Sequence, residues 1–135
     1  MSQFVSRLNP PTMPDARAAG YSQISIAEPG RIAFISGQVA WNRDASPTPS
    51  TLSEQAALVV QNAQAALAAV GASARDILMV RVYLVDLNDE RLGQLWPHLH
   101  TLFDGEQPSL TGIGVAALAG ADLQVEIEMT VRLPA

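Results

Sequence analysis

Runs of alternating apolar and polar residues dominate the first third of the chain and predict three β-strands. They cover residues 4–8, 21–27 and 31–39, and a period of two is typical of strands. Residues 10–20 are rich in proline, alanine and glycine and predict a loop. Because the turn Glu28-Pro29-Gly30 separates the second run from the third, we predict that these two strands form a hairpin.

The strongest helical signal lies in residues 52–70, where apolar residues recur at steps of three and four. Thr51 and Glu54 have the spacing of a capping box, in which each side chain satisfies a backbone N–H of the first turn. Gly71 suits the left-handed position that ends many helices. We therefore predict one helix over residues 52–70, and its many alanines favour close packing on a sheet.

The second half of the chain predicts three further strands and one further helix. The strands cover residues 77–85, 110–117 and 123–133, and the helix covers about 90–103. Pro97 lies inside that helix, where it either kinks the helix or marks its true start. The first of these strands is apolar at both parities, which indicates that both of its faces are covered.

The predicted order of elements is β-β-β-α-β-α-β-β, which is typical of an α/β domain with both helices on one face of a single mixed sheet. With 135 residues, the chain fits one domain over its whole length, 1–135. Apolar residues on the other sheet face favour association with other subunits. The low charged fraction, 16%, favours the same conclusion, although an alanine-rich chain gives a similar figure.

Composition excludes several classes of chemistry. The chain has no cysteine, which excludes disulfides, thiolate nucleophiles and cysteine-based metal sites. Its eight basic residues are all arginine, which excludes a Schiff-base or P-loop lysine. The formal net charge of −5 with scattered arginines disfavours nucleic acid binding. With no long apolar run and no signal-peptide pattern, we expect no membrane contact and a soluble, cytoplasmic domain.

Residue spacing alone defines no active site. His98 and His100 point about 200° apart on a helix and cannot share a metal ion. Glu126 and Glu128 share one face of the last strand. That face is either exposed to solvent, where the pair is ordinary, or turned to a neighbouring subunit, where a buried carboxylate acts as general acid or base.

Two other features have both an ordinary and a functional interpretation. Ser36 lies between strand residues and Gly37, but without the surrounding pattern of a nucleophile elbow, so a turn serine is the better interpretation of this pair. Trp41 and Trp96 are either ligand-stacking side chains or aromatic residues of the core or of an interface.

An ordered set of short segments carries more information than any single motif. The segments are Asn9-Pro10-Pro11, Gly20-Tyr21-Ser22-Gln23, Phe34-Ile35-Ser36-Gly37-Gln38, Glu54-Gln55 with Asn62, Val70-Gly71-Ala72-Ser73, Asp76-Ile77, Val82-Tyr83-Leu84-Val85-Asp86-Leu87-Asn88-Asp89, Phe103, Pro108 and Val125-Glu126-Ile127-Glu128. Together they cover nearly the whole chain, which resembles the RidA/YjgF family of reactive-intermediate deaminases. The resemblance implies a chorismate-mutase-like α+β sandwich that forms homotrimers, with a small-molecule pocket at each subunit interface and no cofactor or metal.

The resemblance also implies site residues. In the deaminase branch, a glutamate on the last strand activates water, and an arginine after a proline grips the carboxylate of a 2-imino acid. The glutamate corresponds to Glu126 as catalytic residue. The substrate-binding positions correspond to Tyr21, Ser36, Gly37, Leu110, Thr111 and Gly112. Because Leu110 stands where the family has its arginine, the resemblance implies a substrate without a free carboxylate, unless Arg81 or Arg31 replaces that anchor.

Two functional hypotheses follow. The first is an imine or enamine hydrolase, a deaminase-like enzyme in which Glu126 acts as acid and base and Leu110 makes the pocket drier. The alternative is a non-catalytic trimeric module that binds a small ligand or a partner protein. A pocket filled by the chain's own side chains would favour the alternative. A ribonuclease role, attached to some family members, is disfavoured by the acidic balance of the chain.

Overall fold

A computed structural model describes residues 4–135, and its elements follow the predicted order. The strands are β1 (Val5–Leu8), β2 (Ile24–Ala27), β3 (Ile32–Gln38), β4 (Ile77–Val85), β5 (Ser109–Val115) and β6 (Val125–Arg132). The helices are α1 (Leu52–Ala69) and α2 (Asp89–Phe103), with short 3-10 turns at Arg17–Ala19 and Ala74–Asp76. The first three residues of the predicted domain lie outside the described part. Within residues 4–135, no helix has the length and apolarity that crossing a membrane requires.

The predicted hairpin between residues 21–27 and 31–39 is wrong. Strand β2 pairs antiparallel with β1, and β3 pairs antiparallel with β6. The strands therefore form a two-stranded ribbon, β1-β2, and a separate four-stranded mixed sheet of order β3-β6-β4-β5, in which only β4 and β5 are parallel.

Arg132 is the physical reason for this break between β2 and β3. The buried Arg132 side chain donates hydrogen bonds to the carbonyls of Glu28 (2.8 Å) and Pro29 (2.6 Å). A Cβ atom at Gly30 would lie only 2.2 Å from the Arg132 guanidinium carbon. Because a side chain from β6 occupies the turn, the two strands on either side of it separate instead of pairing.

Both helices cover the same face of the four-stranded sheet, as predicted. Burial alternates along β6, and its covered face presents Val125, Ile127, Met129 and Val131 to the helices. The other sheet face, which we call the open face, is not covered by this chain and leaves Phe34 81% exposed. Strand β4 is therefore covered on one face only within the chain, although its sequence predicts two covered faces.

The helix ends follow local sequence signals. Thr51 caps α1 by accepting a hydrogen bond from the backbone N–H of Glu54 (3.2 Å), and Gly71 after the helix has the left-handed φ of 69°. Asn88 caps α2 by accepting from the N–H of Arg91 (2.8 Å). The helix therefore begins before Pro97 and continues through it, so that proline does not mark its start.

Gln55 is a fully buried amide on α1 that holds two loops together. Its Nε2 donates to the carbonyls of Pro49 (2.9 Å) and Asp122 (2.8 Å), and its Oε1 accepts from the N–H of Gln124 (2.9 Å). Pro49 lies in the loop that follows β3, and the other two residues lie just before β6. One side chain thus fixes both loops beside the start of β6, where Glu126 lies.

Replacing Gln55→Leu should lower the free energy of unfolding by about 3 kcal/mol, because two carbonyls and one N–H lose their partner, the fully buried Gln55 amide. Urea denaturation followed by circular dichroism measures this change. The matched control is Gln61→Leu, an exposed position on the same helix, which should change stability by less than about 0.5 kcal/mol. Equal effects of the two substitutions would contradict the role assigned to Gln55.

Candidate functional site

The predicted site residues fall at opposite edges of the four-stranded sheet. One edge carries Ser36 and Gly37 on β3 with Glu126 on the adjacent β6, and we call these three the glutamate half-site. The residues at the β5 edge, which we call the tyrosine half-site, are Tyr21, Leu110, Thr111 and Gly112. At about 4.8 Å per strand, the outer strands β3 and β5 lie about 14 Å apart, and β6, which carries Glu126, lies about 10 Å from β5.

The carboxylate of Glu126 lies directly over the backbone of Gly37. A Cβ atom at Gly37 would be 2.1 Å from Oε2 of Glu126 and 2.4 Å from its Cδ, so a larger residue would displace the carboxylate. The pairing of β3 with β6 shifts register between Ile35 and Gln38, which places this contact at an irregular part of the strand. Glu126 is half-buried and has no hydrogen-bond or ion-pair partner among residues 4–135.

Glu128, two positions further along the same face of β6, has two partners, in contrast to Glu126. The Tyr83 hydroxyl donates to its Oε1 at 2.5 Å, and Nη1 of Arg81 lies 3.6 Å from the same oxygen. In the register of β4 and β6, Arg81 stands opposite Glu128 and Tyr83 opposite Glu126. Of the two carboxylates, Glu128 is thus held by neighbours, whereas Glu126 keeps its lone pairs free for water or a ligand.

The contact with Glu128 also changes Tyr83. Because the phenol must keep its proton to donate this hydrogen bond, the bond holds the pKa of Tyr83 above its ordinary value. Desolvation and the negative charges of Glu128 and Glu126 act in the same direction, against a smaller opposing effect of Arg81. Tyr83 is therefore a neutral hydrogen-bond donor on the open face.

The tyrosine half-site is divided between the two faces of the sheet. Leu110 stands beside Val80 in the parallel pairing of β4 and β5, and it packs against the helix-covered core. Thr111 stands beside Arg81, on the open face. Since side chains alternate along a strand, the structure does not bring Leu110 and Thr111 to one face. A Cβ at Gly112 would meet no atom within 4 Å, so the chain's own side chains leave that position open.

Neither alternative carboxylate anchor lies beside Leu110. Arg81 is on the opposite face from Leu110, and its guanidinium faces Glu128. Arg31 directly precedes β3, at the other edge of the sheet. Within one chain, Arg81 therefore lies beside Thr111 but neither arginine lies on the face of Leu110.

Backbone contacts of Ser22, the next residue in the chain, hold Tyr21 at the β5 edge. Ser22 forms a parallel bridge with Ser109, and its N–H donates to the carbonyl of Pro108 at 3.1 Å. The Tyr21 side chain is half-buried, and among residues 4–135 its hydroxyl has no hydrogen-bond partner. The Tyr21 hydroxyl is thus free to bind a ligand.

Two aromatic side chains lie next to Gly20, the residue that precedes Tyr21, and the sequence assigned neither of them to the site. The rings of Trp96 and His100 on α2 have centroids 5.3 Å apart and a 38° tilt. A Cβ at Gly20 would be 3.3 Å from Nε2 of His100 and 3.6 Å from Cζ3 of Trp96. The i, i+4 spacing reveals the Trp96–His100 pair in the sequence, but its approach to Gly20 depends on the tertiary fold.

The remaining candidates have structural surroundings. His98 forms a 2.9 Å hydrogen bond with Ser53 of α1, so it points away from His100 as predicted. Residues 4–135 contain no group of three or more potential metal ligands of the His, Cys, Asp or Glu type. Trp41 is 55% exposed in the loop after β3, with its ring 3.5 Å from the position of a Cβ at Gly120.

The raised pKa of Tyr83 gives a direct test of its contact with Glu128. Replacing Glu128→Gln should lower the pKa of Tyr83 towards about 10, as followed by tyrosinate absorbance during an alkaline titration. Because the folded-state pKa lies above the unfolded value, the stabilisation is complete below about pH 10 and is lost as the pH rises through the folded-state pKa. The Tyr83→Phe variant identifies the titration by removing it. An unchanged curve in Glu128→Gln would contradict this contact.

Comparison with known proteins assigns the chain to a family. The family model described as Endoribonuclease L-PSP matches residues 12–133. "Protein MMF1, mitochondrial" of Saccharomyces cerevisiae is 33% identical over 128 residues, 93% of this chain and 79% of the yeast protein. TdcF of Escherichia coli, which is named as a candidate reactive intermediate deaminase, is 29% identical over 73% of this chain and 77% of its own length.

A solved structure supports the same assignment. YyfB of Yersinia pestis, a Rid-family protein of unknown function, superposes with a TM-score of 0.91 at 31% identity, over 97% of this chain and 100% of YyfB. Such agreement over nearly all residues confirms the α+β fold that the resemblance implied. The chain belongs to the RidA/YjgF family.

Proposed function

We propose that this protein hydrolyses the C=N bond of a small imine, or of the enamine that tautomerises to it, in a pocket shared between two subunits of a homotrimer. One observation carries the proposal: the glutamate and tyrosine half-sites lie at opposite edges of one sheet. Within one chain, Glu126 on β6 lies about 10 Å from β5, and Leu110 is on the opposite face of the sheet, so a small molecule does not reach both half-sites. The β3 edge of one subunit, set beside the β5 edge of the next, would join the two halves into one pocket.

The free carboxylate of Glu126 supplies the chemistry. It accepts a proton from a water molecule whose oxygen attacks the imine carbon, and that proton is then delivered to the imine nitrogen. The resulting carbinolamine collapses to a carbonyl compound and releases ammonia or an amine. Gly37 leaves room for the carboxylate, and the exposed hydroxyl of Ser36, which has no partner among residues 4–135, can position the water.

The surroundings of Leu110 support a substrate without a free carboxylate. A bidentate arginine–carboxylate pair is among the stronger polar contacts in proteins, and leucine offers no part of it. Leu110 packs against the core, and Arg81, which stands beside Thr111 on the open face, has its guanidinium close to Glu128. Neither Arg81 nor Arg31 therefore takes the place of an arginine at Leu110.

The alternative hypothesis, a non-catalytic trimer that binds a small ligand, uses the same pocket. The unpartnered Glu126 favours the enzyme, because a half-buried carboxylate with free lone pairs is suited to proton transfer. The reactive intermediate deaminase in the name of the relative TdcF supports the same class of reaction. The net charge of −5 argues against the ribonuclease activity in the name of the family model.

Glu126→Gln should lower the rate of ammonia release at least about 100-fold, because it removes the general base. The assay compares freshly generated imines of a 2-imino acid and of its primary amide, and we expect the wild type to prefer the amide. Glu90→Gln, at an exposed position on α2, is the matched control and should keep full activity. A preference of the wild type for the acid would contradict the proposed substrate class, and full activity of Glu126→Gln would contradict the mechanism.

A complementation experiment tests whether the pocket is shared between subunits. Tyr21→Ala and Glu126→Gln chains, each inactive alone, should recover about a quarter of wild-type activity when co-expressed, because random assembly joins intact halves at a quarter of the interfaces. Light scattering of the wild type should give three times the chain mass of 14.3 kDa. Mixed oligomers that stay inactive would place the site within one subunit, and a monomeric wild type would contradict the trimer.

A further inference from the structure

Arg7 connects the β1-β2 ribbon to the four-stranded sheet. It stands directly opposite Ser25 of β2, and its Nη1 donates to the Ser25 hydroxyl at 2.7 Å. The same nitrogen donates to the backbone carbonyl of Ile77, the first residue of β4, at 2.6 Å. Because the ribbon and the four-stranded sheet are separate sheets, this guanidinium binds strands of both and fixes one against the other.

The Ser25 hydroxyl extends this contact to the start of β5. It lies 2.8 Å from the hydroxyl of Ser109, the first residue of β5. Since the Ser25 oxygen accepts from Arg7, its own hydrogen remains available to Ser109. Hydrogen bonds linked in this way strengthen one another, and Ser109 is buried, where the medium is less polar than water. We call these three side chains the Arg7 network.

The Arg7 network ends at the junction of the two segments that form the tyrosine half-site. Ser109 directly precedes residues 110–112 on β5. Its backbone also forms the parallel bridge with Ser22, the buried residue that follows Tyr21. A displacement of Ser109 would therefore move the segment that carries Tyr21 and the β5 residues together.

The surroundings of Arg7 favour a fixed and charged donor. Burial lowers the pKa of the Arg7 guanidinium below its ordinary value, whereas the negative charges of Glu106 and of the buried Asp76 act in the opposite direction. An arginine side chain stays protonated in proteins, so Arg7 donates its hydrogen bonds wherever the protein is folded. Methionine is of similar length and offers no donor, while lysine offers donors on a more flexible stem.

We infer that Arg7 is a positioning residue of the tyrosine half-site, which fixes Tyr21 at the β5 edge through Ser25 and Ser109. The inference rests on the proposed function, because that function assigns Tyr21 to substrate binding. Arg7 does not touch the substrate and takes no part in proton transfer at Glu126, which belongs to the other half-site. Its effect is therefore on substrate binding.

Arg7→Met should raise the KM for the better of the two imine substrates about tenfold and change kcat less than about twofold, because Tyr21 is misplaced while Glu126 is intact. Arg7→Lys should recover most of the lost binding, since an ammonium group can donate to the same two oxygens. Arg75→Met, at an exposed position before β4, is the matched control and should keep the KM of the wild type.

A double-mutant cycle separates positioning of Tyr21 from a general loss of stability. In a Tyr21→Phe background, which lacks the hydroxyl, Arg7→Met should raise the KM by less than about twofold, because the two changes remove the same interaction. Ser25→Ala interrupts the network without removing a charge and serves if Arg7→Met fails to fold. Its control is Ser6→Ala, at an exposed position of β1.

Hydrogen exchange followed by NMR tests the positioning without any substrate. The Ser22 N–H, which donates to the Pro108 carbonyl, should exchange at least about tenfold faster in Arg7→Met, while the amides of the inner strand β6 keep their rates. Faster Ser22 exchange in a protein that hydrolyses no imine would support the positioning while the enzyme proposal fails. Unchanged Ser22 exchange, an unchanged KM in an active Arg7→Met enzyme, or equal effects of Arg7→Met with and without the Tyr21 hydroxyl would overturn the inference and leave the enzyme proposal in place.

Discussion

The coverage of the four-stranded sheet by both helices on a single face is the constraint on which the rest of the structure depends. With α1 and α2 on one face, the other face stays uncovered within the chain, and β3 and β5 remain as the two edges. All residues that the family resemblance assigns to the site lie at these edges or close to them. Under the proposed function, a single chain holds two incomplete half-sites, and assembly with other chains would be the physical route by which they meet.

The sequence predicts the helices and strands that depend on local signals better than it predicts how the strands pair. Elements with a strong local signal, such as the helix that begins after Thr51, follow their pattern closely because caps and apolar periodicity act within one segment. Pairing between strands does not follow local signals. The Pro-Gly turn at residues 28–30 is typical of a hairpin, yet Arg132, a hundred positions away, bonds to its carbonyls and separates the strands. No local sequence pattern predicts the contact between Arg132 and this turn.

The site shows the same limit at the scale of single side chains. Spacing puts Glu126 and Glu128 on one face of β6 and treats them as equivalent. In the structure, Tyr83 and Arg81 contact Glu128 but not Glu126. The Glu126 carboxylate instead lies over Gly37, which has no side chain to displace it. Resemblance to the family points to Glu126, but the physical reason for the difference between the two glutamates lies in β4 and β3. Trp96 was open to both interpretations, and only the fold places it beside Gly20.

The proposed change of substrate class depends on how Leu110 is packed. Leu110 packs into the core beside Val80, so that an arginine at this position would have to abandon apolar packing before reaching a ligand. Loss of such an anchor alone leaves a surface that neither binds nor repels a carboxylate strongly, because leucine carries no charge. At the β3 edge, by contrast, Gly37 leaves room for the Glu126 carboxylate, which has no partner among residues 4–135. A free carboxylate retained beside a missing anchor agrees with the proposal of a different substrate class better than with decay of the site.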